Sequence, residues 1–334
     1  IPEVFANIVV QRGITNFEEA KQFFRPSFSD LLDSFSMLNM KKAVDRIIQA
    51  KIQNEKVLVY GDYDVDGTCS VALMYLFLKE IKIDVCFYQP DRYKEGYGIS
   101  MQSVEWAKKN NIDLVIALDC GVKAIEQANQ FKKYSIDLII CDHHLPGNIL
   151  PFSVAMLNPK QENCSYPFKD LCGCGIGFKL IHAISFELKL DSNLILEYLD
   201  LVAIATAADI VPMVGENRVL VKLGLQKINE TPRIGIKSLI EFSKRKGLIE
   251  SSDLVFAISP RINAAGRLGH ASMAVELLSS NTVKEAQKWA QLIEDLNMER
   301  REIDKKTTEE ALILLADDTA KFTSVVCSEH WHKG

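Results

Sequence analysis

Val57-Leu58-Val59-Tyr60-Gly61-Asp62-Tyr63-Asp64-Val65-Asp66-Gly67 passes from a short apolar run into three aspartates at alternate positions, closed by a glycine. An apolar run this short, ended by a Gly-Asp turn, reads as a buried strand, and the apolar residues 70–79 after it read as a helix. The same unit recurs along the chain. Val85-Cys86-Phe87-Tyr88 is a second strand, with a helix over 102–109. Leu114-Val115-Ile116-Ala117-Leu118 is a third, with a helix over 122–131. Leu138-Ile139-Ile140-Cys141 is a fourth, and 154–157 a fifth. Near-continuous strands alternating with helices predict an α/β fold, a parallel β-sheet flanked by helices on both faces.

Residues 1–50 read as a helical lead-in, with Phe17, Ala20, Phe23 and Phe24, then Met40, Val44, Ile47 and Ile48, at helical spacing. After Cys174 the pattern is helical over 175–188, 194–205, 217–228 and 236–242. Residues 283–315 predict one helix of roughly 50 Å, a connector with mixed charges from Glu299 to Lys306 on a solvated face. Ser324-Val325-Val326-Cys327 reads as the first strand of a further domain. The expected division is a lead-in over 1–50, a catalytic domain over 51–280 (sheet to about 158, helical part to about 280), a connector helix over 281–316, and the start of another domain over 317–334.

Composition narrows the function classes. Of 334 residues, 48% are apolar and 25% charged, which is ordinary for a soluble globular chain and excludes wholesale disorder. No uncharged apolar run approaches the ~18 residues of a membrane span, and residues 1–11 show no secretory signal pattern. Lys and Arg total 39 against 44 acids, so a globally basic nucleic-acid coat is absent while a local basic groove is allowed. The eight cysteines include no CxxC pair, and Cys164 with Cys172-Gly173-Cys174 lacks a matching half-site for zinc. Reduced thiols and a cytoplasmic location are expected.

The chemistry concentrates after the strands. The first runs into Asp62, Asp64 and Asp66, the third into Asp119-Cys120-Gly121, and the fourth into Asp142-His143-His144. In an open parallel sheet, ligands bind at the carboxyl ends of the strands, so these acids and imidazoles converge on one edge. Carboxylates packed together resist ionisation unless a cation neutralises them. Aspartates with histidine and no thiolate suit Mn²⁺, with Zn²⁺ and Fe²⁺ less specific and an all-oxygen Ca²⁺ or Mg²⁺ cage a poorer match. Asp209, closing the apolar run from Leu201 before Pro212, reads alone as a cap or salt-bridge partner; beside the other three motifs it reads as a ligand. An EF-hand fails because Leu73 stands where loop position 12 needs Glu. Gly173-x-Gly175-x-Gly177 fits neither a Walker loop nor a dinucleotide fingerprint and reads as a tight entry into a closely packed helix.

Two basic segments complete the pattern. Pro260-Arg261-Ile262-Asn263-Ala264-Ala265-Gly266-Arg267 lies in an acid-free stretch from Phe256 to Val275, which suits bidentate phosphate contacts. The alternative is a salt-bridged interlobe loop. Arg92 and Lys94, in the loop after the second strand, could hold a phosphate, and Tyr97 offers a face for stacking a base or else packs.

These residues resemble a known family. Gly61-Asp62-Tyr63-Asp64-Val65-Asp66-Gly67, Asp119-Cys120-Gly121, Asp142-His143-His144 and Ala208-Asp209-Ile210-Val211-Pro212 are similar to the four core motifs of the DHH phosphoesterase superfamily. Arg92 with Gly96-Tyr97-Gly98, and the segment from Pro260 to Arg267, narrow the resemblance to the RecJ branch, single-stranded-DNA-specific 5′→3′ exonucleases. Glu329-His330-Trp331-His332-Lys333-Gly334 resembles the opening of the DHHA1 domain, here truncated.

The resemblance implies a DHH-type fold, and metal ligation by Asp64, Asp66, Asp119, His143 and Asp209, with Asp119 bridging two ions. It assigns His144 to the scissile phosphate or to proton transfer, Asp142 to orienting an imidazole, and Asp62 to a place near the first metal. Arg92, Arg261 and Asn263 would hold the 5′-phosphate or backbone, with Arg267 and Tyr97 beside them. The implied cofactor is a pair of Mn²⁺ ions, with Mg²⁺ as the alternative. Such a pair would acidify a bound water and neutralise the charge of the phosphodiester. The implied substrate is single-stranded DNA with a 5′ end, in repair and recombination. Single-strand-binding protein and a helicase are the implied partner classes, with no membrane involved. The competing functions are a small-substrate phosphoesterase and a non-catalytic replication scaffold.

Overall fold

The computed structural model describes residues 2–316 and 322–332. The lead-in forms α1 (Glu3–Gln11), α2 (Phe17–Phe24) and α3 (Met40–Gln53). On α3 the residues Met40, Ala43, Val44, Ile47 and Ala50 recur at three- and four-residue steps and are all buried.

The alternating region follows as β1 (Lys56–Gly61), α4 (Val65–Glu80), β2 (Asp84–Tyr88), α5 (Met101–Lys109), β3 (Leu114–Leu118), α6 (Ile125–Lys133), β4 (Asp137–Cys141) and β5 (Ala155–Leu157). All pairings are parallel, in the order β2-β1-β3-β4-β5. From β1 the chain crosses to β2 on one side and returns to β3 on the other, so the strand order reverses between β1 and β3. That switch point opens a crevice at the carboxyl ends of both strands.

Strand alternation divides the core. Val57, Val59, Leu114, Ile116 and Leu118 face the larger cluster, while Leu58, Tyr60, Val115 and Ala117 face a smaller one with residues of α5 and α6. α4 is apolar almost all round because it lies between the sheet and the helices that follow.

Those helices are α7 (Gly173–Glu187), α8 (Ser192–Leu196), α9 (Leu199–Ala208), α10 (Gly215–Glu230) and α11 (Ile234–Ser243). The expected single helix over 194–205 is therefore two, broken at Glu197-Tyr198, where the Tyr198 ring packs edge-on against Phe77 at 6.0 Å. Residues 251–268 run through α12 (Ser251–Asp253), a π-helical turn (Leu254–Ile258) and α13 (Ser259–Leu268), then α14 (Ser272–Leu278) follows. The basic segment expected as a loop is thus helical, with Pro260 directly after the π-helical turn. α15 (Val283–Leu314) is continuous over 32 residues, and Ala286, Ala290, Ile293 and Asn297 bury its first half.

The expected strand at 324–327 is not formed; the segment is irregular. A strand needs a hydrogen-bonded neighbour, and none of the described strands pairs with it. Instead the tail folds back, with Trp331 Nε1 donating to Glu310 of α15 (2.8 Å) and His332 Nε2 hydrogen-bonded to Tyr93 (2.8 Å). The parts of the expected further domain that fall on 317–321 and 333–334 lie outside the described residues. Among the described residues no helix is long and apolar enough to cross a membrane, and the cysteines are free thiols.

Candidate metal centre

Each acid is placed by its own element. Asp64 is the N-cap of α4 and accepts from Gly67 N at 2.9 Å. Asp66, in the first turn of α4, also lies at the start of α7, accepting from Gly173 N (2.6 Å) and Cys174 N (2.8 Å). A carboxylate is favoured at both places by free N–H groups and the positive end of the helix dipole. Asp209 is the C-cap of α9. There the dipole opposes a negative charge, so its stable ionisation needs a cation.

Asp119 ends β3 with φ +58, a left-handed conformation that Asp tolerates better than most residues. Its side chain packs on Gly173, where a Cβ would fall 2.5 Å from Asp119 Cβ. This is why the tight glycine entry into α7 exists, and only the contact with Asp119 reveals it.

The groups converge on His143. Its Nε2 lies 3.1 Å from Asp119 Oδ1, 3.6 Å from Asp209 Oδ2 and 3.9 Å from Asp66 Oδ2. Two sets have ligand atoms within 4.8 Å of one another: Asp119, His143 and His144, and Asp66, His143 and Asp209. Asp119 Oδ1, Asp209 Oδ2, both His143 ring nitrogens and both Asp62 oxygens are buried without a hydrogen bond among the described residues. Buried lone pairs crowded this way carry a large desolvation cost unless a cation meets them. Hard carboxylate oxygens with one or two imidazoles fit Mn²⁺ and Mg²⁺. Asp62 is buried, but neither it nor Asp64 belongs to a close set.

The electrostatics agree with the geometry. Burial, then the charges of Asp66 and Asp64, push Asp119 well above the ordinary carboxylate range. Burial and the same two neighbours raise Asp209 to about 8. Burial and Asp64 raise Asp62 to about 7. Burial lowers His143. Asp142 behaves differently: burial would raise it, but hydrogen bonds from the His144 side chain and backbone outweigh that and hold it low. It accepts from His144 Nδ1 (2.7 Å), His144 N (3.0 Å) and Val122 N (2.8 Å), and the bond to Nδ1 raises His144.

A pH dependence follows. Unfolded, Asp62 loses its proton near 3.8; folded, it keeps it to about 7. The folded state binds more protons across this window, so metal-free stability falls as pH rises through it, by at most about 4 kcal/mol for this group. The melting temperature of chelator-treated protein is expected to drop from pH 5 to pH 8, and Asp62→Asn to flatten the slope. A rising profile would contradict the burial of these acids.

The basic residues divide. Asn263, Gly266 and Arg267 share one face of α13, and Gly266 lies against the β1–α4 loop, where a Cβ would meet Tyr63 O at 2.4 Å. Arg92 lies over the Tyr63 ring at 5.2 Å. Arg267 is lowered by burial, then by the charges of Arg92 and Arg300. Arg300, on α15, escaped the sequence reading because it sits in a run of mixed charge. Arg261 departs from its expected phosphate role. It is buried, pairs with Glu294 of α15 (Nε to Oε2, 2.6 Å) and donates to Ala257 O (2.6 Å), so its donors are committed between helices. The salt-bridged alternative describes it. Tyr97 is 56% exposed, which leaves a face open, but its hydroxyl is engaged with His144 Nε2 at 3.1 Å.

Residues 56–206 match the DHH family, N-terminal domain. A crystal structure of exonuclease RecJ bound to manganese superposes with a TM-score of 0.79 at 31% identity, covering 85% of this chain and 72% of that one. The chain belongs to the RecJ-type DHH family. RecJ of Thermus thermophilus in complex with Mn²⁺ superposes with a TM-score of 0.79 at 29% identity, over 93% of this chain and 43% of that one. The single-stranded-DNA-specific exonuclease RecJ of Bacillus subtilis (strain 168) is 41% identical over 336 residues, all of this chain. The chain spans 42% of the length of that RecJ, and 60% of the RecJ of Dickeya dadantii (strain 3937).

Proposed function

We propose that this chain is the catalytic core of a metal-dependent 5′→3′ exonuclease acting on single-stranded DNA, in repair and recombination. The observation that carries the reading is the convergence of carboxylate oxygens and imidazole nitrogens at the β1–β3 switch point, within 4.8 Å of one another in two sets, with Asp119 Oδ1, Asp209 Oδ2 and both His143 nitrogens buried without a hydrogen bond among the described residues. Asp64, Asp66, Asp119, His143 and Asp209 would hold two divalent ions, Mn²⁺ or Mg²⁺. Bound there, the ions supply an acidified water and charge neutralisation for a phosphodiester.

The remaining roles belong to the chain's own side chains. Asp142 orients His144, which stands beside Asp119 and His143 and is the group for contacting the scissile phosphate or moving a proton. Arg92 and Arg267, with Asn263 on the same face as Arg267, border the β1–α4 loop and offer donors for a terminal phosphate. Residues 51–280 form the catalytic domain and 281–316 a connector to a DHHA1 domain. A cytoplasmic setting, and a helicase and single-strand-binding protein as partners, accord with this activity.

The test is digestion of a single-stranded 40-mer labelled at either end, with Mn²⁺, against a dinucleotide. Loss beginning at the 5′ end of the 40-mer is expected. Preference for the dinucleotide would replace the polymer reading with a small-substrate phosphoesterase, and full metal binding without hydrolysis of either would favour a scaffold.

A further inference from the structure

We propose that Tyr97 is a positioning residue that acts through His144, and this rests on the phosphodiesterase reading of the site. The loop carrying Tyr97 is built rather than loose. Glu95 gathers Asp91 N (2.8 Å), Tyr88 Oη (3.0 Å) and Ser100 Oγ (2.5 Å), and the buried Tyr60 hydroxyl donates to Gly98 O at 2.7 Å. Gly96 and Gly98 adopt φ +82 and +83, a backbone that other residues rarely adopt, so the turn that presents Tyr97 depends on both glycines.

That turn carries the Tyr97 hydroxyl to two partners at once. It lies 3.1 Å from His144 Nε2 and donates to the backbone carbonyl of Asp119 at 3.3 Å. The two rings meet edge to face, 5.9 Å apart at 79°. His144 is therefore held at both ring nitrogens, by Asp142 at Nδ1 (2.7 Å) and by Tyr97 at Nε2. An imidazole pinned at one nitrogen can still swing about that bond; pinned at both, it keeps one plane. Because the second anchor also grips the end of β3, the imidazole is registered against the same backbone that presents the Asp119 carboxylate.

Tyr97→Phe keeps the ring and deletes the anchor. In the chain as it stands, Mn²⁺ stoichiometry and melting temperature are expected to stay at wild-type values. The His144 Nε2 nitrogen resonance, assigned with His144→Gln, shifts while Nδ1 stays. The turnover number on 5′-phosphorylated single-stranded DNA falls about tenfold with KM within twofold, the size of one lost hydrogen bond. A packing role would instead move the melting temperature or KM. Unchanged His144 resonances, or turnover within twofold of wild type, would overturn the proposal. If the wild-type chain hydrolyses no phosphodiester at all, the nuclease reading fails, and the resonance comparison by itself decides whether Tyr97 holds His144.

Discussion

Asp119→Asn is expected to abolish stoichiometric Mn²⁺ binding and to slow digestion by about 1000-fold or more while leaving the fold intact. Asparagine is the right substitute because it keeps the volume and tolerates the left-handed backbone at φ +58, where alanine would add strain of its own. The metal loss follows from position: Asp119 Oδ1 is buried, hydrogen-bonded to none of the described residues and 3.1 Å from His143 Nε2. Several kcal/mol of charge stabilisation in the transition state would go with the ions, and each 1.4 kcal/mol is a factor of ten. Stability should move the opposite way. Burial and the charges of Asp66 and Asp64 oppose ionisation of Asp119, so a neutral amide relieves repulsion and raises the melting temperature of the chelator-treated chain. Calorimetric titration with Mn²⁺ and a thermal melt in chelator read both effects. A binding isotherm matching wild type would remove Asp119 from the metal set.

Gly173→Ala is expected to damage the same centre without touching an acid. The added methyl would lie 2.5 Å from Asp119 Cβ, 2.8 Å from its Cα and 2.8 Å from its Oδ1. Part of that obstacle is backbone, so rotation of a side chain cannot relieve it. The helix start must also keep donating Gly173 N to Asp66, so α7 cannot simply withdraw. Overpacking of this kind costs about 1–3 kcal/mol. Displacing Asp119 or Asp66 should weaken Mn²⁺ binding by about 10–100-fold, as loss of a residue that supports ligands does. Gly177→Ala is the control, because its nearest neighbour is the flexible end of Leu118 at 3.1 Å. Equal metal affinities for the two variants would mean that Gly173 does not support the site.

Much of this was legible along the chain, for identifiable reasons. The five strands were readable because apolar runs buried on both faces of a parallel sheet have no polar alternation to confuse them. Asp62, Asp64, Asp66, Asp119 and Asp142 were readable because each follows a strand end, whereas Asp209 closes a helix and was readable only beside them. Harder were features whose signal is a contact between distant segments. The break at Glu197-Tyr198 serves a ring contact with Phe77. Arg261 resembles its neighbours in sequence, yet Glu294, on another helix, claims its guanidinium. Arg300 belongs to the basic cluster only because α15 runs past α13.

Sequence by itself determined the order of the elements, the parallel sheet, and which acids and imidazoles stand at its carboxyl edge, because local periodicity and turn chemistry act over a few residues. Tertiary structure alone decided which of those groups share a point in space, that Tyr97 grips His144, that Gly173 must lack a side chain, and that Arg261 is spent on an ion pair. Those outcomes depend on distances between segments far apart in the chain, and no local preference encodes such distances.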